Sequence, residues 1–277
     1  MCRVLSVSKS GFYAWIKSPE SKRNKENKKL LIKIKKIHKN SKRVYGSRKI
    51  TKIINKDSNA PINHKRVERL MSENGIYSKT KKKYKATTNS KHSLPVAENI
   101  LKREFTSDVP NKKLVSDITY IPTDEGWLYV AGILDLCGKK IVGLSMDSRM
   151  TKELVISALD DAYNNSNKTP EGILHSDQGR QYCSKEYQEK LKEYGYICSM
   201  SRRGNCWDNA PMESFWGKMK MEWLNDQHFK TRKEAKAKVF EYIMIFYNRE
   251  RIHSENGYIT PEEYYSQKLK EDFSKVA

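Results

Sequence analysis

Nowhere in these 277 residues do apolar side chains run on for the roughly 18 positions that a membrane-spanning helix requires. The first residues also lack the apolar core of an export signal, so secretion is not expected. Cysteine is sparse and scattered: Cys2, Cys137, Cys183, Cys198 and Cys206 form no C-x-x-C pair. That placement excludes a disulfide framework and fits free thiols in a reducing compartment. Before residue 100 there is a single cysteine beside His38, His64 and His92, which excludes a His₂Cys₂ zinc module there. No internal repeat is present. Acidic residues are scarce only in the first part of the chain. Residues 1–110 hold 29 basic against 8 acidic side chains, whereas residues 111–277 hold 25 of each. The whole surplus of +21 thus sits in an N-terminal arm, which points to a polyanionic partner held by phosphate neutralisation and weakened by salt. The plain alternative is a solvated lysine-rich face.

Residues 1–77 are expected to be helical. CRVLSVSKSGFYAWIK (2–17) reads as a short helical element anchored by Phe12, Tyr13 and Trp15. Leu30, Leu31, Ile34 and Ile37 recur at helical spacing between about Glu26 and Asn40. Ser47 is a candidate N-cap for a helix carrying Ile50, Ile53 and Ile54. Asn63 is a candidate cap for another with Val67, Leu70 and Met71 inward, ended by Asn74-Gly75. Three short helices with a basic third one match a helix-turn-helix, and Lys65, Arg66 and Arg69 are its candidate DNA contacts. A small bundle merely solvated by lysines has the same pattern. Residues 78–110 are read as a basic linker.

From residue 111 to 277 the pattern changes. Leu114–Pro122, Trp127–Leu136 and Lys140–Met146 are β-favouring runs separated by turns, as in an antiparallel meander. A helix from Thr151 to about Tyr163, a strand Gly172–Ser176, a helix Ser184–Tyr194 and a strand Tyr196–Met200 follow. Asp208 is a candidate N-cap for a helix with Pro211 in its first turn. A last helix is expected over about Arg232–Asn248. The order βββ-α-β-α-β-α predicts an α/β fold, a ribonuclease-H-like mixed sheet flanked by helices, preceded by the all-α helix-turn-helix region.

Phosphoryl transfer on nucleic acid uses two divalent cations, one for the attacking and one for the leaving oxygen, so the fold must converge several carboxylates. Asp117 lies in the first strand, Asp177 follows the fourth in HSDQGRQY (175–182), and Glu213 sits one turn into a helix in NCWDNAPMESFW (205–216). If the first and fourth strands are neighbours, the three meet at one sheet edge. Asn209, Glu213, Trp216 and Lys220 share one helical stripe, which would offer Lys220 to a phosphate or base. Asp135 reads as a hairpin residue before a metal ligand, and His175 as a satisfied core histidine before a catalytic one. Arg202, Arg203 and Asn205 form either a DNA-facing loop or an ordinary exposed one. Asn248, Arg251 and His253 are read as local hydrogen bonders or as end-DNA contacts.

VSDITYI (115–121), HSDQGRQYCS (175–184), MSRRGNCWDNAPMESFWGKMK (200–220) and YNRERIHSENGYITPEEYY (247–265) resemble the successive signature blocks of bacterial insertion-sequence transposases. The similarity is to the second-frame (OrfB) proteins of the IS-three family, which have a retroviral-integrase-like core. CRVLSVSKSGFYAW (2–15) and RVYGSRKI (43–50) resemble the start and the helix-turn-helix block of such proteins. Leu114 stands where that family usually has Trp, and Asn256 where it usually has Leu. The resemblance implies that Asp117, Asp177 and Glu213 form a DDE triad and that Lys220 touches donor-end DNA. It implies two Mg²⁺ ions with DNA bound, Mn²⁺ being a substitute, and cleavage at the element's terminal repeats followed by strand transfer into target DNA. It also implies a homo-oligomer on DNA, an upstream-frame (OrfA-type) product or fusion, a start other than Met1, no membrane, and a cytoplasmic, nucleoid-associated location. A non-catalytic DNA-binding repressor and a plain ribonuclease H are the alternatives.

Overall fold

The computed structural model describes residues 2–18, 20–56, 58, 60–79, 95–166, 172–202 and 205–276. The chain divides into two compact units, Met1–Lys79 and Thr80–Ala277. The first consists of α1 (Lys9–Lys17), α2 (Lys22–Asn40), α3 (Ser47–Lys56) and α4 (His64–Glu73). Ser8, Ser21 and Asn63 cap α1, α2 and α4 by accepting an N–H from the first turn. Leu30, Ile34, Ile50, Val67, Leu70 and Met71 form the buried seam of α2 to α4. Two expectations are corrected. Ser47 is the first helical residue of α3 and not its cap; its carbonyl accepts the Thr51 hydroxyl. Tyr13 and Trp15 are exposed and no residue of α1 is buried, so these rings anchor nothing within the unit.

The second unit is built on β1 (Lys113–Thr123), β2 (Gly126–Asp135), β3 (Lys140–Asp147), β4 (Ile173–Ser176) and β5 (Ile197–Met200). The sheet order is β3-β2-β1-β4-β5. β1, β2 and β3 pair antiparallel, while β4 pairs parallel to both β1 and β5. With α5 (Lys152–Asn164), α6 (Lys185–Glu193), α7 (Ala210–Met219), α8 (Arg232–Phe240) and α9 (Pro261–Val276), this is the ribonuclease-H-like arrangement.

Side-chain alternation sorts the two sheet faces. On one, Leu114, Ala131, Ile133 and Leu174 join Leu154 and Ala158 of α5 and Tyr187 and Leu191 of α6 in a single core. Gly143 permits this approach, because a Cβ there would lie 2.3 Å from the Ala158 carbonyl oxygen. The other face receives α7, which buries Met212, Phe215, Trp216 and Met219. The Trp216 ring rests on Gly132, where a Cβ would meet it at 2.8 Å.

The C-terminal part departs from expectation. The helix predicted over Arg232–Asn248 keeps α-geometry only to Phe240 and continues as a π-helical stretch, Glu241–Glu250. Wider turns there bury Tyr242, Phe246 and Tyr247 together. α9 then extends the fold beyond the elements expected. Of the stretch read as a linker, 80–94 lie outside the described residues. Residues 98–101 pack along β5: Ser199 Oγ accepts the N–H groups of Ile100 and Leu101, and the Glu98 carbonyl accepts that of Met200.

Asp135 is fully buried and accepts the N–H groups of Asn111 at 2.7 Å and Cys137 at 2.8 Å. It is a structural turn residue and not a ligand. Burial pushes its carboxyl up to about 7, against the pull of those N–H groups and of Lys140 and Lys139. The folded chain therefore keeps this proton to higher pH than the unfolded chain does. The associated stability is fully present below the ordinary carboxyl pKa and is lost as pH rises through 7, by on the order of 4 kcal/mol at most. Urea midpoints should fall between pH 5 and pH 8 in the native chain, with a smaller fall in Asp135→Asn. Equal falls in both would contradict this assignment.

Candidate active site

The first two acids come together through the parallel β1–β4 pair. Val115 is level with His175, so Asp117, inside β1, and Asp177, just past the end of β4, each two residues further along, face the same side of the sheet. That face is the one carrying α7, because Asp117 pairs across β2 with Gly132, on which Trp216 rests. Asp177 Oδ1 accepts the Gly179 N–H at 2.9 Å, which turns the chain sharply after β4. Gln178 then donates to the Ser201 carbonyl, tying this turn to the exit of β5.

Glu213 lies in the first turn of α7 and is exposed. Its helix is fixed at the N-terminus by Asn209, whose Nδ2 donates to the Ser116 carbonyl at 3.0 Å, immediately before Asp117. The predicted stripe on α7 is modified by the structure. Asn209 stands ahead of the helix, Trp216 is buried against the sheet, and Lys220 opens a π-helical stretch, Lys220–Leu224. The Lys220 ammonium lies 5.0 Å from the centre of the Tyr120 ring. Burial lowers its pKa, and the negative charge of Asp117 opposes that fall.

Electrostatically the three acids form one group. The Asp117 carboxyl is pushed well above the usual range, first by burial and then by Asp177, with Glu213 adding to the effect. The Ile118 N–H and the Trp216 indole favour its charged form, although the indole N–H does not complete a hydrogen bond. Nearby Tyr182 is fully buried and its hydroxyl pairs with Ser116 Oγ at 3.0 Å. Three hard oxygen donors that repel one another are the donor set that Mg²⁺ prefers. Among the described residues, however, no group of three or more His, Cys, Asp or Glu is drawn together closely enough to hold an ion. Repulsion between carboxylates opposes such closure until a cation offsets it.

Other expected residues fall elsewhere. His175 is buried with both ring nitrogens paired, Nδ1 to Ser199 Oγ at 2.8 Å and Nε2 to Ser201 Oγ at 3.1 Å, and burial lowers its pKa to about 4. It is a core histidine. Asn248 holds both the N–H and the carbonyl of Ile141, and Arg251 is buried against Glu222, so these two are local bonders. Asp208 is not the cap of α7. A 3-10 turn, Cys206–Asn209, precedes the helix, and the Asp208 carboxylate is taken by Arg202, Arg103 and Asn99. Guanidinium donors outcompete the neutral N–H groups of a helix end for one carboxylate. Arg202 is thus engaged within the unit, and Arg203 lies outside the described residues. On α4, Lys65 and Arg69 are exposed, whereas Arg66 donates to Asn27 at 2.8 Å and to Glu26 at 3.1 Å on α2. Sequence reasoning missed Arg103, which lay in the supposed linker, and Gly132, whose missing side chain seats Trp216.

Known proteins are similar to this chain over most of its length. The pattern described as an HTH-like domain matches residues 25–84, and patterns described as an integrase core domain match residues 107–206 and 213–269. The "Insertion element IS600 uncharacterized 31 kDa protein" of Shigella sonnei is 44% identical over 262 residues, covering 94% of this chain and 96% of that one. "Transposase InsF for insertion sequence IS3A" of Escherichia coli (strain K12) is 38% identical over 271 residues, covering 97% of this chain and 94% of its own length. Among solved structures, the magnesium complex of the HTLV-2 integrase catalytic core in its dimeric form has a TM-score of 0.42 at 17% identity, covering 57% of this chain and 97% of that one. On the extent and identity of the relatives, together with the helix-turn-helix-like and integrase-core matches, this chain belongs to the IS3 family of insertion-sequence transposases.

Proposed function

We propose that Asp117, Asp177 and Glu213 hold divalent cations, and that the chain uses this site to cut DNA at insertion-sequence ends and to join the freed ends to target DNA. The observation that carries the reading is the β1–β4 register, which sets Asp117 beside Asp177 under the helix bearing Glu213. Mg²⁺, or Mn²⁺ in its place, fits these oxygen donors, and two such ions with DNA bound would supply charge neutralisation at the attacking and leaving oxygens. The protein's own part is placement. Asp117 is held inside β1, Asp177 by the turn that leaves β4, and Glu213 by a helix tied through Asn209 and Trp216 to β1 and β2. Lys220, drawn partly out of water beside Asp117, offers a cation to a phosphate of the DNA end.

The basic N-terminal unit holds the element's ends, with Lys65 and Arg69 on the exposed side of α4 as groove or phosphate contacts. Arg66, already braced against α2, orients that helix. A homo-oligomer on DNA and an upstream-frame partner complete the working assembly, next to the nucleoid. No helix among the described residues is long and apolar enough to cross a membrane. With duplex DNA carrying the element's own ends, the full chain should nick only when Mg²⁺ or Mn²⁺ is supplied, and it should leave an unrelated RNA–DNA hybrid intact. Salt-sensitive binding without nicking under either ion would overturn the proposal.

A further inference from the structure

The connection from β5 to α7 contains a polar junction that the chemistry above does not use. The Asp208 side chain is 1% exposed, yet it is an anion. Its Oδ1 accepts from Arg103 Nε at 2.7 Å and from Arg202 Nη2 at 2.9 Å. Its Oδ2 accepts from the N–H of Arg202 and from Arg202 Nε, both at 3.0 Å, and from Asn99 Nδ2 at 3.1 Å. The remaining arm of Arg103 reaches Asn205 Oδ1 at 3.0 Å. These donors hold the carboxyl far below its usual pKa, Arg202 first among them.

Residues that flank the junction bond to the segments that carry the proposed catalytic acids. The Ser201 N–H donates to the Ser176 carbonyl, next to Asp177, and the neighbouring Asn209 side chain donates to the Ser116 carbonyl, next to Asp117. α7 begins at Ala210, two residues after Asp208, and Glu213 follows one turn later. The approach to α7 is therefore anchored at two adjacent residues, Asp208 through the guanidinium groups and Asn209 through the Ser116 carbonyl. Asp208 lies in the 3-10 turn that leads directly into α7, so a displacement there reaches the first turn of the helix, where Glu213 stands.

We propose that Asp208 is the positioning residue for the third acid: clamped by Arg103 and Arg202, it registers the start of α7 so that Glu213 stands opposite Asp117 and Asp177. This rests on the reading of those three acids as the active site. It also gives Arg202 an internal role in place of the DNA contact expected from sequence. Asp208 touches no reacting atom in this account. Misplacing a reacting group by about 1 Å costs on the order of 100-fold in rate, and Asn at 208 keeps the shape while removing the charge and one of the two acceptor oxygens.

The test compares the full chain with its Glu213→Gln, Asp208→Asn and Arg202→Gln variants on DNA carrying the element's ends. It records cleavage rate at saturating DNA, end-DNA affinity as a function of salt, and the thermal midpoint. Asp208→Asn and Arg202→Gln are each expected to lower the saturated rate by about 100-fold per folded molecule, with affinity and salt slope unchanged. Conservative Arg202→Lys, which restores one charged donor to Asp208, should recover part of that rate. If Arg202→Gln instead keeps the saturated rate while weakening binding and reducing the salt slope by about one, Arg202 is a DNA ligand and the proposal fails. If Asp208→Asn lowers only the thermal midpoint, its role is merely structural and the proposal fails again. Should Glu213→Gln leave cleavage intact, it is the reading of the active site that fails, whatever the other variants do.

Discussion

Asp177→Ala is expected to abolish strand cleavage, by at least about 1,000-fold, while the chain still folds and still binds element-end DNA. Removing a carboxylate from a site that must neutralise charge on a phosphoryl group forfeits several kcal/mol of transition-state stabilisation, and each 1.36 kcal/mol is tenfold in rate. The side chain lies after the last residue of β4 and is partly exposed, so its loss opens no cavity in the core. Its bond to the Gly179 N–H shapes a turn whose other ties, such as Gln178 to the Ser201 carbonyl, remain. Binding should even tighten slightly, because one negative charge facing the DNA is gone. Single-turnover nicking and a filter-binding isotherm on the same preparation separate the two effects. Retained nicking within tenfold of the native chain would remove Asp177 from the site.

The second large effect falls on stability. Glu222 and Arg251 are 2% and 8% exposed and share a two-pronged ion pair, with Nη2–Oε1 at 2.6 Å and Nε–Oε2 at 2.9 Å. The Tyr242 hydroxyl donates to the same carboxylate at 2.7 Å. This pair joins the π-helical stretch after α7 to the chain that leads into α9. Arg251→Leu strands a buried carboxylate and should cost about 3–5 kcal/mol, because the desolvation of the remaining charge is no longer offset. In a unit of this size that is a fall of roughly 10 °C or more in the thermal midpoint. Combining it with Glu222→Met should restore part of the loss, since the apolar pair needs no partner while the Tyr242 hydroxyl loses its acceptor. A loss below about 1 kcal/mol in Arg251→Leu, or no recovery in the double variant, would show that the pair is weakly coupled.

What could be read from the sequence follows how local each signal is. The β1–β3 meander was legible because alternation and turn residues are properties of adjacent positions, and its boundaries lie within one or two residues of those expected. Asp117, Asp177 and Glu213 were legible as candidates because each carries its own short context, but the register that brings the first two side by side is a pairing of distant strands. Asp208 was misread for the same reason. A good N-cap residue ahead of a helix is a local signal, and Arg103, which claims it, is 105 positions away in a stretch that reads as linker. Trp216 shares a helical stripe with Glu213 and Lys220, and nothing nearby in sequence reveals the bare surface at Gly132 on which it is buried. The break of the long C-terminal helix into α- and π-helical parts depends on packing Tyr242, Phe246 and Tyr247 against partners elsewhere, which helical periodicity alone does not encode. The charge asymmetry, by contrast, needed no fold at all.

The central claim is that three carboxylates from β1, β4 and α7 converge on divalent cations when DNA is present. The most direct measurement is an anomalous-scattering map from crystals of the full chain grown with Mn²⁺ and element-end DNA. The expected result is Mn²⁺ peaks ligated by Asp117, Asp177 and Glu213, with Glu213 drawn closer to the two aspartates. Peaks ligated by other residues, or Asp117 and Asp177 bearing no Mn²⁺ in crystals whose DNA has been cut, would contradict it.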